Sequence, residues 1–302
     1  MPATAASPAG CSASPPVRRA RRDVRRRRPL LGTLGSLLAA TAAAFAATVG
    51  GGVSAASAST HDWIATGWNI HLADQLDPAT TGHFFNTSGS FGTGPKTSVN
   101  PVIDGFAANA VLVYDSYAQF AADLQSGAIS HAYKWVLYDP EEWPQTPTAE
   151  QLNPIKYLAQ FGQLAHAHGY KVIEAPGRDL GNVARSGSAC PEQPGETLDH
   201  WYIRCDIAGA AAAASDVYVL QDQVNTTDLA AYGALFSGAR QQALAASPRA
   251  VVDSELSTNY GTASQMAAAA RSVNADGFYV SITSPAIGRA DQFFRLMRAA
   301  GY

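Results

Sequence analysis

The sequence predicts a (β/α)8 TIM-like barrel of the α/β class, and three observations support this. Short runs of β-branched and aromatic residues alternate with Ala-rich segments of helical period, which is typical of parallel strands joined by crossover helices. From Ser59 onward 244 residues remain, close to the roughly 250 residues of such barrels. No linker or change in composition divides them, so we expect residues 59–302 to form a single domain.

Seven runs are predicted to be strands: Thr66–His71, Ala110–Tyr114, Lys134–Tyr138, Lys171–Ala175, Asp216–Gln221, Ala250–Asp253 and Gly277–Ser281. The helices predicted between them are Tyr117–Leu124, Pro154–His168, Leu229–Ala246, Thr262–Ser272 and Arg289–Ala300. Pro154 suits the first turn of its helix, and Gly169 suits the position just past the end of that helix.

The eighth strand of the barrel is expected to be irregular or missing. Gly89–Gly94 lies in a segment rich in Ser, Thr and Asn with no predicted strand before it, so we interpret it as a loop. An open doubly wound sheet is the alternative architecture. No Gly-rich nucleotide-binding fingerprint follows the first predicted strand, which favours the barrel.

Residues 1–58 have the pattern of a cleaved signal peptide. Residues 18–28 are strongly basic, Leu30–Val49 carry no charge, and small residues follow at 53–58. Two arginines ahead of Pro29 also fit a twin-arginine signal. A retained membrane anchor is the alternative, because the apolar stretch is long enough to span a bilayer. We therefore expect a secreted, extracellular protein whose leader meets the export machinery.

The charge of the remaining chain argues against nucleic-acid binding. Removing residues 1–58 takes away eight of the 21 basic residues and one of the 24 acidic residues, which leaves a formal charge of −10. Phosphate backbones are bound by clustered Lys and Arg, whereas the remaining basic residues are scattered. A nucleic-acid partner is therefore not expected.

Two cysteines, Cys190 and Cys205, remain after the leader and flank a Pro/Gly-rich segment of 14 residues. In an oxidising compartment this spacing predicts a disulfide bond, with two free buried thiols as the alternative. No Cys-x-x-Cys pair or nearby His cluster completes a set of four ligands, so neither a metal site nor a cofactor is predicted.

Polar residues follow most of the predicted strands, at the end where parallel barrels build their active sites. The carboxylates and amides at these positions are Asp115, Asp139, Glu174, Gln221, Asp222, Gln223, Asp253 and Glu255. Any one of them is explained by a solvated loop, but together they predict a ligand site at one end of the barrel.

Paired carboxylates are the groups that hydrolyse glycosidic bonds, one as acid and the other as nucleophile or base. Glu174 is the first candidate, because it directly follows a buried strand and Arg178 lies nearby; an ion pair with Arg178 or Lys134 is the alternative. Asp139 is the second candidate. Glu141 and Glu142 are the third, and either of them would otherwise cap the following segment.

The predicted substrate-binding residues are Asp115, Trp143, Arg178, Gln221, Gln223, Asp253 and Glu255. Amide groups suit hydroxyl-rich ligands, and aromatic rings in loops, such as Trp143 and Trp201, suit the apolar faces of pyranose rings. Asp253 and Glu255 share one face of their strand by alternation. Trp135 is interpreted as a core residue, and for Trp63 and Trp68 a place in the core is the alternative to a sugar-binding role.

Two segments, Tyr138–Pro147 and Ala165–Pro176, carry a resemblance to known proteins. They resemble secreted actinobacterial proteins with a TIM-barrel, glycoside-hydrolase-like pattern, most of them without an assigned activity. The resemblance covers about a fifth of the chain after the leader. It implies a barrel and a polysaccharide ligand, and it names no acid/base pair.

The function hypothesis is a secreted hydrolase that cleaves glycosidic bonds of a polysaccharide or cell-wall glycan. One alternative is a non-catalytic barrel that binds a carbohydrate or another small-molecule ligand. Another is an extracellular lyase, cyclase or metal-assisted hydrolase with the same acidic residues, in which Asp139, Glu141 or Asp222 would hold a divalent ion.

Overall fold

The computed structural model describes residues 61–95, 105–130, 132–187 and 189–302. Within these ranges, eight parallel strands close into a barrel in which each strand pairs with its sequence neighbours and the last pairs with the first. The predicted (β/α)8 architecture is therefore confirmed. The predicted signal peptide, residues 1–58, lies outside the described residues.

The strands are β1 (Asp62–Thr66), β2 (Phe91–Pro95), β3 (Asn109–Tyr114), β4 (Trp135–Tyr138), β5 (Lys171–Glu174), β6 (Val217–Leu220), β7 (Val251–Ser257) and β8 (Gly277–Ser281). Their registers are continuous around the barrel; Tyr138 on β4, for example, pairs with Glu174 on β5, which pairs with Tyr218 on β6.

The helices are α1 (Gly67–Leu76), α2 (Pro78–Phe85), α3 (Tyr117–Ser126), α4 (Thr148–Gln151), α5 (Pro154–Ala167), α6 (Gly181–Ala184), α7 (Leu198–Arg204), α8 (Ile207–Ala214), α9 (Leu229–Ala246), α10 (Ala263–Ser272) and α11 (Ile287–Ala299). Short 3-10 turns follow β5, β6 and β8 at Arg178–Leu180, Gln223–Asn225 and Ser284–Ala286.

The core has two layers because successive side chains on a strand point to opposite faces. The inner layer fills the barrel, and its buried members are Ile64, Phe91, Val111, Leu137, Ile173, Ala175, Val217 and Val219. The outer layer lies between the strands and the helices and is richer in aromatic rings. Trp63, for example, packs against Phe84, Phe278 and Phe293.

Two sequence interpretations near the start of the barrel were wrong. The predicted strand Thr66–His71 is helical, because β1 ends at Thr66, whose side chain caps α1 by accepting from the Asn69 amide. Most of β2, the missing eighth strand, lies in the Gly89–Gly94 segment; the strand pairs with both β1 and β3. Glycine has a low strand propensity, so the sequence of β2 does not look like a strand.

Both predicted ends of α5 are confirmed. Pro154 occupies its first turn, where the absent N–H costs nothing. Gly169 has a φ of 80° just past the helix, a left-handed conformation that favours glycine. Farther along the chain, Thr262 and Gln265 form a reciprocal capping box at the start of α10.

The predicted disulfide bond between Cys190 and Cys205 is present and ties the loop after α6 to the end of α7. Two further contacts hold this loop. Trp201 donates its indole N–H to the Cys190 carbonyl at 3.1 Å, and the Arg204 guanidinium bonds Glu196 at 2.6 and 2.8 Å.

Glycine at position 162 lets α5 and α8 approach closely. A Cβ atom there would lie 2.9 Å from the carbonyl carbon of Ala214 and closer still to its oxygen. We expect Gly162→Ala to lower the free energy of unfolding by about 1–3 kcal/mol, because the helices must separate.

The matched control is Gly233→Ala in α9, where a Cβ meets nothing within 4 Å. There the same change should raise the free energy of unfolding by about 0.5–1 kcal/mol through helix propensity. Denaturant unfolding measures both variants, and a Gly162→Ala protein as stable as the control would contradict the close packing.

Replacing both Cys190 and Cys205 by Ser removes the cross-link from the unfolded chain as well as the folded one. By loop-closure entropy the free energy of unfolding should fall by about 3 kcal/mol. Adding a reductant should produce the same loss in the wild-type protein and no change in the double variant. Equal stability of wild type with and without reductant would refute this role for the bond.

Candidate active site

The side chains at the carboxyl ends of the strands divide between the interior of the barrel and its outer layer. Val113, Leu137 and Val219 belong to the inner layer. By alternation, Asp115, Asp139 and Gln221 follow them on the inner face, two positions further along the chain. These positions form the mouth of the barrel, where parallel barrels carry their active sites.

Asp139 is a half-buried carboxylate at this mouth. Gln221 donates from its side-chain amide to Asp139 Oδ1 at 2.6 Å and to the Ala175 carbonyl at 2.7 Å, which fixes the orientation of both groups. Burial, followed by the nearby charges of Glu141, Asp115 and Asp179, raises the pKa of Asp139 well above its ordinary value.

Glu141 lies next to Asp139 and is less enclosed. Its backbone N–H donates to Thr146 Oγ1 at 3.2 Å. Burial raises its pKa from 4.5 to about 7, and the charge of Asp179 adds to the effect. Gly177 leaves room for the side chains of Glu141 and Asp179. A Cβ atom at position 177 would lie 2.8 Å from Glu141 Cγ and 2.5 Å from Asp179 Oδ1.

Glu255 is the third carboxylate of the group and lies on the inner face of β7. It is only 5% exposed, and its carboxylate accepts no hydrogen bond from the described residues. Burial, then the charges of Asp139 and Glu141, raise its pKa well above the ordinary value. Tyr279, opposite Glu255 on β8, has its pKa raised by burial and by Asp139 and Glu255.

We call Asp115, Asp139, Glu141, Asp179 and Glu255 the acidic mouth. Each charged group acting on Asp139, Glu141 and Glu255 is another carboxylate. The nearest arginine in sequence, Arg178, is bonded to Asp199. Among the described residues, therefore, the three central carboxylates have no cationic partner.

Aromatic side chains stand at the same end of the barrel. Trp68, in the first turn after β1, is 66% exposed, and Tyr260, just after β7, is 45% exposed. Trp143, after β4, is half-buried and donates its indole N–H to Thr146 Oγ1 at 2.9 Å. Trp201 is buried beside the disulfide loop and does not belong to this set.

The structure separates Glu174 from Asp139. Ile173 belongs to the inner layer, so the next residue, Glu174, points into the outer layer. There its charge acts on Tyr138 and Tyr202. Both of its oxygens are buried without a hydrogen-bond partner among the described residues, and burial raises its pKa. Ion pairing with Arg178 or Lys134, the alternative interpretation, is not observed for its carboxylate.

Asp222 and Asp253 are also buried away from the mouth. Asp222 lies in the outer layer, accepts from Asn225 at 2.7 Å, and has its pKa raised to about 8 by burial. Asp253 faces the interior near the opposite end of the barrel, where Gly277 and Asp62 adjoin it. Asp253 and Glu255 share one face of β7, as expected, but Asp253 lies deeper along the barrel axis, away from the mouth.

The remaining predicted residues lie at the edge of the site. Glu142 is exposed and accepts from Asn182 at 2.6 Å, while its backbone N–H donates to Asp179. Gln223 donates to Gln221 at 3.5 Å and extends the amide pair. Tyr279, Tyr260 and Asp179 were not predicted to belong to the site. For Trp68 the sequence left a core position and a sugar-binding role open, and the structure exposes it at the mouth.

No group of three or more His, Cys, Asp or Glu side chains arranged to hold a metal ion occurs in the part of the chain that the structure describes. The same residues include no helix with the length and apolar character needed to cross a membrane. An apolar cavity of about 240 Å³ lies beside Trp201 and Cys190 rather than at the acidic mouth.

Comparison with known proteins gives no family assignment. No protein-family model matches the chain, and no curated protein matches it in sequence. What the fold and site define is a class: a (β/α)8 barrel, an architecture that commonly carries enzymes, with a carboxylate-rich mouth at its strand carboxyl ends.

The protonation of Glu141 makes stability depend on pH. The folded protein holds this proton up to a pH of about 7, whereas the unfolded chain releases it near 4.5. The folded state therefore binds more protons between these values, and the free energy of unfolding should fall as pH rises through this window. In Glu141→Gln the fall should be shallower.

Denaturant unfolding at several pH values from 4 to 8 measures the slope. Glu142→Gln removes the same charge from the exposed neighbouring position and should keep the wild-type slope. Identical slopes for wild type and Glu141→Gln would contradict the assigned proton.

Proposed function

We propose that this protein hydrolyses glycosidic bonds of a polysaccharide or cell-wall glycan by paired-carboxylate chemistry. The observation that carries the proposal is the group Asp139, Glu141 and Glu255: three enclosed carboxylates at the mouth of a barrel, with raised pKa values and no cationic partner among the described residues. Such an environment keeps one carboxyl protonated beside an ionised one, as glycoside hydrolysis requires.

Glu141 is the general acid in this proposal. Its pKa of about 7 keeps a proton available near neutral pH, and its partial exposure allows contact with a bound glycan. It donates the proton to the glycosidic oxygen, the bond from that oxygen to the anomeric carbon breaks, and the leaving sugar departs with a new hydroxyl group.

Asp139 is the second catalytic group. Burial and the neighbouring carboxylates raise its pKa, and the N–H of Gln221 acts against them by favouring the ionised form in which Asp139 reacts. It attacks the anomeric carbon in a retaining reaction, or takes a proton from the attacking water in an inverting one. Either route consumes one water molecule. In the retaining route Glu141 regains its proton from the water that releases the sugar from Asp139; in the inverting route Asp139 takes that proton, and exchange with solvent returns one to Glu141. Burial and the charges of Asp139 and Glu141 raise the pKa of Glu255, which favours its protonated form beside them.

The surroundings of the mouth suit a sugar chain. Trp68 and Tyr260 offer exposed aromatic faces on which pyranose C–H groups pack, and Gln223 offers an amide for hydroxyl groups. We place the activity outside the cell. The signal-peptide pattern of residues 1–58 and the Cys190–Cys205 bond support that placement.

The test measures reducing-end release and product mass from a panel of polysaccharides and cell walls. Asp139→Asn and Glu141→Gln should each lower kcat by about 10²- to 10⁴-fold, since each removes a proton-transfer or attacking group. Glu141→Gln should lose less activity on an aryl glycoside of the same sugar, whose leaving group needs no proton.

Two matched variants serve as controls. Glu142→Gln removes an exposed carboxylate next in sequence, and Glu174→Gln removes a buried one on the outer face of β5; both should keep wild-type activity. Circular dichroism and thermal unfolding confirm folding of each variant. Full activity in Asp139→Asn would overturn the assignment, and so would a loss of activity in Glu174→Gln with Asp139→Asn and Glu141→Gln unaffected. If the wild-type protein releases no product from any substrate, hydrolysis itself is overturned.

A further inference from the structure

The acidic mouth holds more carboxyl groups than acid/base chemistry needs. Beyond the three central carboxylates, Asp115 and Asp179 act on Asp139 and Glu141 through their charges. Asp115 is half-buried, and its carboxylate accepts no hydrogen bond from the described residues. Five acids at one site repel each other, which raises the energy of the site when it is empty.

A second observation is the state of Glu255. This side chain is 95% buried, as its 5% exposure shows, and lies on the inner face of β7 beside Asp139 and Glu141. A buried carboxylate normally has a hydrogen-bond donor or a cation as its partner. None of the described residues donates to the Glu255 carboxylate, so a donor supplied by a ligand would complete it.

The site thus has acceptors in excess. Among the described residues, Arg178 is the cation whose charge acts on the acidic mouth; it acts on Asp179 from the edge and is itself bonded to Asp199. A polymer of uronic acids would add negative charge to this mouth and be repelled. A neutral sugar supplies hydroxyl donors only. A protonated primary amine supplies three N–H donors and a positive charge. The donors bond the carboxylate oxygens, and the charge balances theirs.

From these observations we propose that the glycan is a polymer of amino sugars with free, protonated amino groups, and that Asp115 together with Asp179 binds an ammonium group beside Glu141. This deepens the proposed function and rests on it. The exposed rings of Trp68 and Tyr260 favour a cationic sugar over a free amine or a basic peptide, because pyranose rings have apolar faces to pack on them.

Binding is measured by calorimetry with oligomers of glucosamine, of N-acetylglucosamine and of glucose, which share one backbone linkage, and with an oligouronate. We expect the glucosamine oligomer to bind about tenfold more tightly than the two neutral ones, a difference of about 1.4 kcal/mol. This advantage should shrink at high salt, since the added attraction is electrostatic. The oligouronate should not bind.

Asp115→Asn tests the ammonium contact. It should remove most of the preference for the glucosamine oligomer and leave the affinity for the glucose oligomer unchanged. Glu142→Gln is the control of equal charge change, and it should keep the wild-type preference. An equal loss for all oligomers in Asp115→Asn, or no preference in the wild type, would overturn the ammonium site.

Product release separates this inference from hydrolysis. Tight, salt-sensitive binding of glucosamine oligomers without any release would overturn hydrolysis and leave the amine specificity standing. Release from neutral glycans, with no preference for free amines in binding or turnover, would leave hydrolysis standing and overturn the amine specificity. Release from the glucosamine polymer that falls in Asp115→Asn chiefly through a raised KM supports both hydrolysis and the amine specificity.

Discussion

The alternation of side chains along a closed parallel barrel is the constraint on which the rest of this structure depends. Closure gives every strand an inner and an outer face, and both faces are dry. A shift of one position along a strand therefore decides whether a carboxylate points into the mouth of the barrel or toward the surrounding helices. Asp139 follows inner Leu137 by two positions and reaches the mouth, whereas Glu174 follows inner Ile173 by one and does not.

The second determinant is the desolvation of carboxylates. Burial is the largest cause of the raised pKa of Asp139, Glu141 and Glu255, and like charges add to it. The protein limits this cost with polar contacts at the edge of the group. Gln221 donates to Asp139, and hydrogen bonding from Gln221 lowers the pKa of both Asp139 and Glu141. Gly177 keeps the space in which Glu141 and Asp179 lie side by side.

Much of the barrel could be predicted from the sequence, because β3–β8 are rich in β-branched and aromatic residues and α9 is long and Ala-rich. Glycines in β2 have no strand propensity, and only pairing with β1 and β3 makes that segment a strand. The face of Glu174 was not predictable either. Val172 and Ile173 are both apolar because each side of β5 is buried, so the sequence carries no alternation to assign the inner face.

The same reasoning separates structural from functional acids in this chain. Glu150 is as buried as Glu255, but it accepts from Ser116, the Tyr117 and Ala118 amides and the Tyr138 hydroxyl, so its charge stabilises the start of α3. Glu255 has no such donors among the described residues and lies beside two further carboxylates. Its burial without donors costs folding free energy, which a ligand bound at the mouth would offset. Lack of a donor alone does not mark a functional acid, since Glu174 and Asp253 are also buried without a partner among the described residues. What distinguishes Glu255 is its position beside Asp139 and Glu141 at the end of the barrel where ligands bind.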